Sequence, residues 1–342
     1  MKLKFAAALL FLALPAWADA PAPSAVTPDL IAAATKEGKV VFYTGMDIQV
    51  ATLVGQAFEA KYPGIPVQVE RNPSERVYQR VMMEYESNIH AVDVLDSADQ
   101  VHLFDWKRRG MLTPYVPEEL AKFPADRRDP EGYFAYNRVT LSVFGVNTKL
   151  MKPEGAPKSY ADMLDPKFKG MMVKAHPAYA GYIMTATFIL SRKFGWEYFE
   201  KLGQQKVLQV QSSNDPPKKL SLGERPLMFD GNEYTTFIEM AKGAPIEVIY
   251  PSEGTPFVGG SSGVAKDAPH PNAARLFISY LYSREAQQLI VDKGGLRSLH
   301  PDVKDPPDRV PLAKIKTLTA DPGELEKAME EIKQKYATYF GT

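Results

Sequence analysis

The chain has no cysteine among its 342 residues. That excludes disulfides, thiolate metal sites, iron–sulfur clusters, cysteine nucleophiles and a lipidated N-terminal cysteine. Net charge is missing too: 41 Lys and Arg balance 41 Asp and Glu, so no global field draws the molecule to nucleic acid or to an acidic membrane. Beyond Leu14 no apolar run approaches the roughly 20 residues that span a bilayer. Gly259-Gly-Ser-Ser-Gly263 fits G-x-S-x-G but has no helix directly after it, as a nucleophile elbow requires; no H-E-x-x-H pair is present and no pair of carboxylates stands out, which argues against a hydrolase. His90, His102, His270 and His300 have no ligand-like spacing. With ordinary apolar content, the length suits a globular chain of two domains.

What is present begins with a leader. Lys2 and Lys4 precede an apolar run from Phe5 to Leu14, and Ala16-Trp17-Ala18 offers the small residues a signal peptidase reads. Residues 1–18 are therefore expected to be a signal peptide, with the mature chain starting at Asp19 as an exported, soluble, periplasmic protein.

The stretch Lys39-Val-Val-Phe-Tyr-Thr-Gly-Met-Asp47 reads as a strand closed by a Thr-Gly turn, with Asp47 as N-cap. Val50, Leu53, Val54, Ala57 and Phe58 then recur at helical spacing. The pattern repeats. Pro66 to Glu70 is a second strand, Glu75 to Tyr85 a helix, Ala91 to Asp96 a third strand, Gln100 to Arg109 a helix ending at Gly110, and Met111 to Pro114 a turn. This β/α order implies an open, doubly wound lobe.

The long extended run from Tyr133 to Val146 breaks the rhythm and reads as a strand crossing to a second lobe. Further β/α units follow: strands at Met171 to Lys174, Val207 to Val210 and Pro226 to Asp230, and helices from Tyr179 to Phe194 and Asn232 to Lys242. Ile246 to Tyr250 is expected to cross back, with Gly259-Gly-Ser-Ser-Gly263 as a flexible return and not a phosphate cradle, because no Lys-Ser/Thr follows it. Helices at Asn272 to Tyr282, Arg284 to Lys293 and Glu324 to Tyr339 close the chain. The expected division is lobe 1 at residues 19–137 and 251–342, and lobe 2 at 138–250.

Open α/β sheets bind ligands beyond the carboxyl ends of their strands, where helix N-termini and loop amides converge. Tyr43, Thr44, Gly45, Ser97, Ala98, Ser212, Ser213 and Asn214 lie at such ends, and His176 and Tyr179 in the loop after the strand ending at Lys174. The bland reading stands beside this one: Tyr43 packs on the sheet, and the Ser and Thr residues form turns and caps.

Tyr160-Ala-Asp-Met-Leu-Asp-Pro-Lys-Phe-Lys-Gly170, Tyr250-Pro-Ser-Glu-Gly254 before Ser262-Gly-Val-Ala265, and Ala268-Pro-His-Pro-Asn-Ala-Ala-Arg-Leu-Phe277 with Ser283-Arg-Glu-Ala-Gln-Gln288 resemble the type 2 periplasmic solute-binding proteins of ABC importers. The similarity is to the ferric-iron or Fbp-like branch, whose relatives include thiamine, phosphonate and sugar-phosphate binders. The resemblance implies an α/β fold of two lobes, a hinge of two crossing strands, closure over a small solute, and delivery by a monomer to a permease in the inner membrane. Ferric members hold iron with adjacent tyrosines after the strand matching Leu227 to Asp230. Here the stretch reads Phe229-Asp-Gly-Asn-Glu-Tyr-Thr235, with one tyrosine, so a ferric site would use Asp230, Glu233 and Tyr234. The rival ligand is a small organic or phosphorus-containing anion. No resident cofactor is expected, Fe3+ being at most cargo. A periplasmic enzyme, or a sensory protein presenting its solute to a receptor, is the alternative of another class.

Overall fold

The computed structural model describes residues 20–341, so the expected leader, residues 1–18, lies outside the described part. The N-terminal lobe is built from short strands whose ends are tied by caps. Thr27 caps α1 (Pro28–Glu37), β1 (Val40–Thr44) follows, and Asp47 caps α2 (Ile48–Lys61). Then come β2 (Val67–Arg71), α3 (Ser74–Glu86), β3 (Val94–Ser97), α4 (Gln100–Arg108) and β4 (Leu112–Thr113). The long β5 (Ala135–Asn147) leads to β6 (Met172–Ala175), α5 (Gly181–Phe194), α6 (Trp196–Gln204), β7 (Leu208–Val210), α7 (Asp215–Ser221), β8 (Leu227–Asn232), α8 (Glu233–Ala241) and β9 (Ile246–Ile249). The chain ends with β10 (Thr255–Ala265), α9 (Pro271–Leu281), α10 (Arg284–Asp292), β11 (Thr317–Leu318) and α11 (Pro322–Phe340).

In lobe 1, β2, β1 and β3 are parallel, β10 runs antiparallel beside β3, and β5 lies antiparallel beside β10. In lobe 2, β8, β6 and β7 are parallel, while β5 pairs antiparallel with β8 and β9. The pairing path is continuous through β5, but the strand changes partners: Leu141 pairs with Phe257 of β10, and Ser142 with Asn232 of β8. Each lobe has its own aromatic core. Phe42, Phe58, Phe277 and Tyr280 pack in lobe 1, with Phe144, Tyr160, Tyr198 and Phe229 in lobe 2.

Several elements differ from expectation. Ile246 to Tyr250 is not the second crossing: β9 pairs only with β5, inside lobe 2, and β10 returns the chain to lobe 1. The glycine-rich stretch is therefore no flexible loop but the middle of a buried strand. A Cβ at Gly259 would come within 2.3 Å of the Tyr136 ring, and one at Gly260 within 2.3 Å of the Arg138 guanidinium carbon. Those glycines let two large side chains of β5 lie across β10. Met111 to Pro114 is likewise not a plain turn, since β4 pairs with β10 at Val264 and Ala265. The C-terminal helix, expected with lobe 1, packs on α5 and α6 of lobe 2 as well as on α4. Among the described residues no helix is long and apolar enough to cross a membrane.

Candidate functional site

Between the lobes lies a small cavity of about 20 Å³. Gly45, Arg71, Ser74, Ala98, Arg138 and Gly260 line it from lobe 1, and Ala180, Tyr182, Ser213, Asn232 and Tyr234 from the lobe 2 segment, with Thr140 of β5 between them. The lobe 1 wall follows from strand ends. Thr44 ends β1 and faces inward: its hydroxyl donates to Asp96 Oδ1 at 2.6 Å and accepts from the Met46 amide at 3.0 Å. Gly45 comes next because a Cβ there would sit 2.5 Å from Ser74 Oγ.

Asp96 is the fully buried hub of that wall. It takes hydrogen bonds from Thr44, from Asn137 and Ser262 at 2.8 Å each, and from Arg138 through both terminal nitrogens. Burial pushes its carboxyl up, but the charge and hydrogen bonds of Arg138 outweigh that and hold it below the usual carboxylate range. Arg138 is thereby neutralised. Arg71 is not: Nε donates to the Met46 carbonyl at 3.2 Å and Nη2 to Ser212 Oγ at 3.1 Å, and among the described residues no carboxylate pairs with it.

Two further features make the cavity receptive to negative charge. The helices α3, α5 and α8 all begin at it, at Ser74, next to Ala180 and next to Asn232, and none has a side-chain cap. Thr27, Asp47, Asp99, Ser283 and Asp321 cap α1, α2, α4, α10 and α11, while α6, α7 and α9 also lack a side-chain cap. Uncapped N-termini present free amides and about half a positive charge each. The cavity also holds unmet polar atoms: Thr140 Oγ1 and Asn232 Oδ1 are buried without a partner. The Asn232 amide nitrogen is committed to Ser213 and Asn214, so its oxygen is left needing a donor. An anion that also carries hydroxyls matches this set.

The lobes are closed over it. Tyr234 Oη accepts from the Asp47 amide and donates to Asn214 Oδ1, both at 3.1 Å, and Asn214 Nδ2 donates to Asp47 Oδ2 at 3.3 Å. Arg76 reaches Gln211 at 2.7 Å.

Of the residues singled out in the sequence, Gly45, Ala98, Ser213 and Tyr234 line the cavity, with Thr44, Ser212 and Asn214 directly behind. Others are placed elsewhere. Tyr43 packs on the sheet, its hydroxyl on Glu84 at 3.2 Å and its ring under Arg80, because alternate residues of β1 face opposite sides. Ser97 holds His102 and the Asp99 amide. His176 meets Tyr336 edge to face, and burial, then the Lys174 charge, push its ring down to about 4. Tyr179 packs beside it, partly exposed.

The ferric set does not assemble. Asp230 pairs with buried Lys174 at 3.0 Å, and Glu233 is gripped by Arg297, Arg309 and Tyr250 at 2.6–2.8 Å. Only Tyr234 faces the cavity. Among the described residues no group of three His, Asp or Glu is disposed to hold a metal ion.

Sequence reasoning missed Arg71, Ser74, Arg138, Thr140, Tyr182, Asn232 and Gly260. Arg71 had a signal: it ends β2 in register with Thr44, so the strand-end rule applied to β2 would have found it. Arg138 and Thr140 alternate on the crossing strand and needed its facing to be known.

Residues 90–320 match the model of a family described as bacterial extracellular solute-binding protein. An uncharacterized protein of Haemophilus influenzae is 26% identical over 273 residues, 76% of this chain and 78% of that one. The periplasmic binding protein AfuA from Actinobacillus pleuropneumoniae, solved with exogenous fructose-6-phosphate bound, superposes with a TM-score of 0.80 at 23% identity, over 89% of this chain and 99% of that chain. Iron-bound HitA from Pseudomonas aeruginosa gives 0.76 at 20% identity, over 88% and 99%. At such identities the likeness establishes the fold.

Proposed function

Given that the chain belongs to the bacterial extracellular solute-binding proteins, we propose that its cleft captures a small hydroxylated organic phosphate and delivers it, chemically unchanged, to an ABC permease in the inner membrane. The leader at residues 1–18 would take the protein to the periplasm, where it acts as a monomer.

One observation carries the choice of ligand: Arg71 faces the cavity, and among the described residues no carboxylate pairs with it. A phosphate on Arg71, near the N-termini of α3, α5 and α8, gains charge-assisted hydrogen bonds that a neutral solute cannot. Thr140 Oγ1 and Asn232 Oδ1 then receive the hydroxyls. Relatives of this fold carry either chemistry, fructose-6-phosphate in AfuA and iron in HitA. A hard trivalent cation needs several anionic oxygens, and the carboxylates that could supply them here are spent on Lys174, Arg138, Arg297 and Arg309.

Isothermal titration tests this with fructose-6-phosphate, inorganic phosphate and ferric citrate as probes, followed by mass spectrometry for turnover. The sugar phosphate should bind most tightly and be recovered intact. Arg71→Ala should weaken it about 10- to 100-fold, the value of one charged hydrogen-bonding group. Tight one-to-one ferric binding, or an Arg71→Ala variant with unchanged affinity, contradicts the proposal.

A further inference from the structure

Beside the cavity, one of the contacts between the lobes is made by a glycine. Gly181 is the first residue of α5, and a Cβ placed on it would lie 2.3 Å from Asp99 Cβ and 3.1 Å from both Asp99 Cα and Asp99 N. Asp99 belongs to lobe 1 and precedes α4. The 2.3 Å contact is with Cβ, which no change of rotamer moves, and the two 3.1 Å contacts are with backbone.

Neither partner can step aside. Asp99 is held by its own amide on Ser97 Oγ at 2.9 Å and by its carboxylate capping the Val101 amide at 3.0 Å. The start of α5 is held on lobe 2 by the next residue, Tyr182, whose hydroxyl bonds the Leu141 and Gly231 carbonyls at 2.9 and 3.0 Å. Nothing within lobe 2 asks for glycine here. Gly181 is not among the residues with positive φ, and glycine is a poorer helix residue than alanine. The preceding residues on each side, Ala98 and Ala180, both line the cavity, so the contact adjoins the solute.

We propose that Gly181 is a positioning residue for solute capture: the absence of a side chain there lets α5 seat on Asp99, and that seating sets how completely the lobes close. This rests on the reading that the cleft closes around a solute. In the open form the two residues part, and the glycine serves no purpose. A side chain at 181 therefore weakens the closed state while leaving the open protein intact.

The absence of cysteine makes the test clean. Met83 on lobe 1 and Leu222 on lobe 2 are exposed, and spin labels on Met83→Cys and Leu222→Cys report the lobe separation by electron–electron resonance. Measured with and without saturating fructose-6-phosphate, the labelled parent should move to a shorter distance. With Gly181→Ala added it should stay long, the dissociation constant should rise at least tenfold, and the ligand-free melting temperature should stay the same or rise. Gly181→Ser repeats the test with a poorer helix former.

A Gly181→Ala protein that closes and binds like its parent overturns the role of Gly181 alone. So does a lowered ligand-free melting temperature, which would make the contact permanent scaffold. A parent that never shortens contradicts the capture reading and this inference together.

Discussion

Glu233 and Tyr234 are consecutive, yet their side chains do opposite work. Tyr234 bridges Asp47 and Asn214 at the cavity, whereas Glu233 is fully buried under two guanidinium groups and the Tyr250 hydroxyl. Burial pushes the Glu233 carboxyl up, but the Arg297 hydrogen bonds and the charges of Arg309 and Arg297 outweigh it, so it stays ionised below its ordinary range. Glu233→Gln would leave Arg297 and Arg309 facing a neutral group in a buried site. Breaking one side of a buried ion pair costs about 3–5 kcal/mol, and thermal unfolding should show a correspondingly large drop in midpoint; an unchanged midpoint contradicts the clamp. In the sequence Glu233 looks like a first-turn carboxylate beside a candidate ligand. Its partners lie 64 and 76 residues downstream, and no local pattern points to them.

Among the elements, α11 and β10 have places that the local sequence does not specify. The apolar periodicity of α11 announces a helix but not the surface it covers. Its aromatic end decides that: Tyr336 Oη meets Lys174 Nζ at 2.5 Å and Gln209 Oε1 at 2.6 Å, and the Tyr336 and Phe340 rings lie against the Lys174 ammonium. Lys174 is fully buried between Asp230 and these groups. Tyr336→Phe removes one acceptor from a buried ammonium, which costs about 1–3 kcal/mol. Urea unfolding should register the loss while affinity for the solute is kept, because Tyr336 does not line the cavity; an unchanged urea midpoint contradicts the anchoring role. The β10 strand is hidden in the sequence for a different reason. Its centre is glycine and serine, which carry little strand preference, and its glycines are explained only by Tyr136 and Arg138 on the neighbouring strand.

At the scale of the whole molecule, the β/α repeats and the first crossing strand were legible because each is a local pattern of apolar spacing and turn residues. The edge at which ligands gather followed from the strand ends, and Gly45, Ala98, Ser213 and Tyr234 were found that way. Which carboxylates remain free was not legible, because that depends on ion pairs formed across the fold: Asp96 with Arg138, Asp230 with Lys174, Glu233 with Arg297. Those pairs engage the carboxylates that an iron site would need, and the proposed anionic ligand rests on them. Native mass spectrometry of the protein taken from the periplasm, with metal analysis of the same sample, tests this most directly. The account predicts one small phosphate-bearing organic molecule per chain and no stoichiometric iron. One iron per chain with no organic phosphate would contradict it.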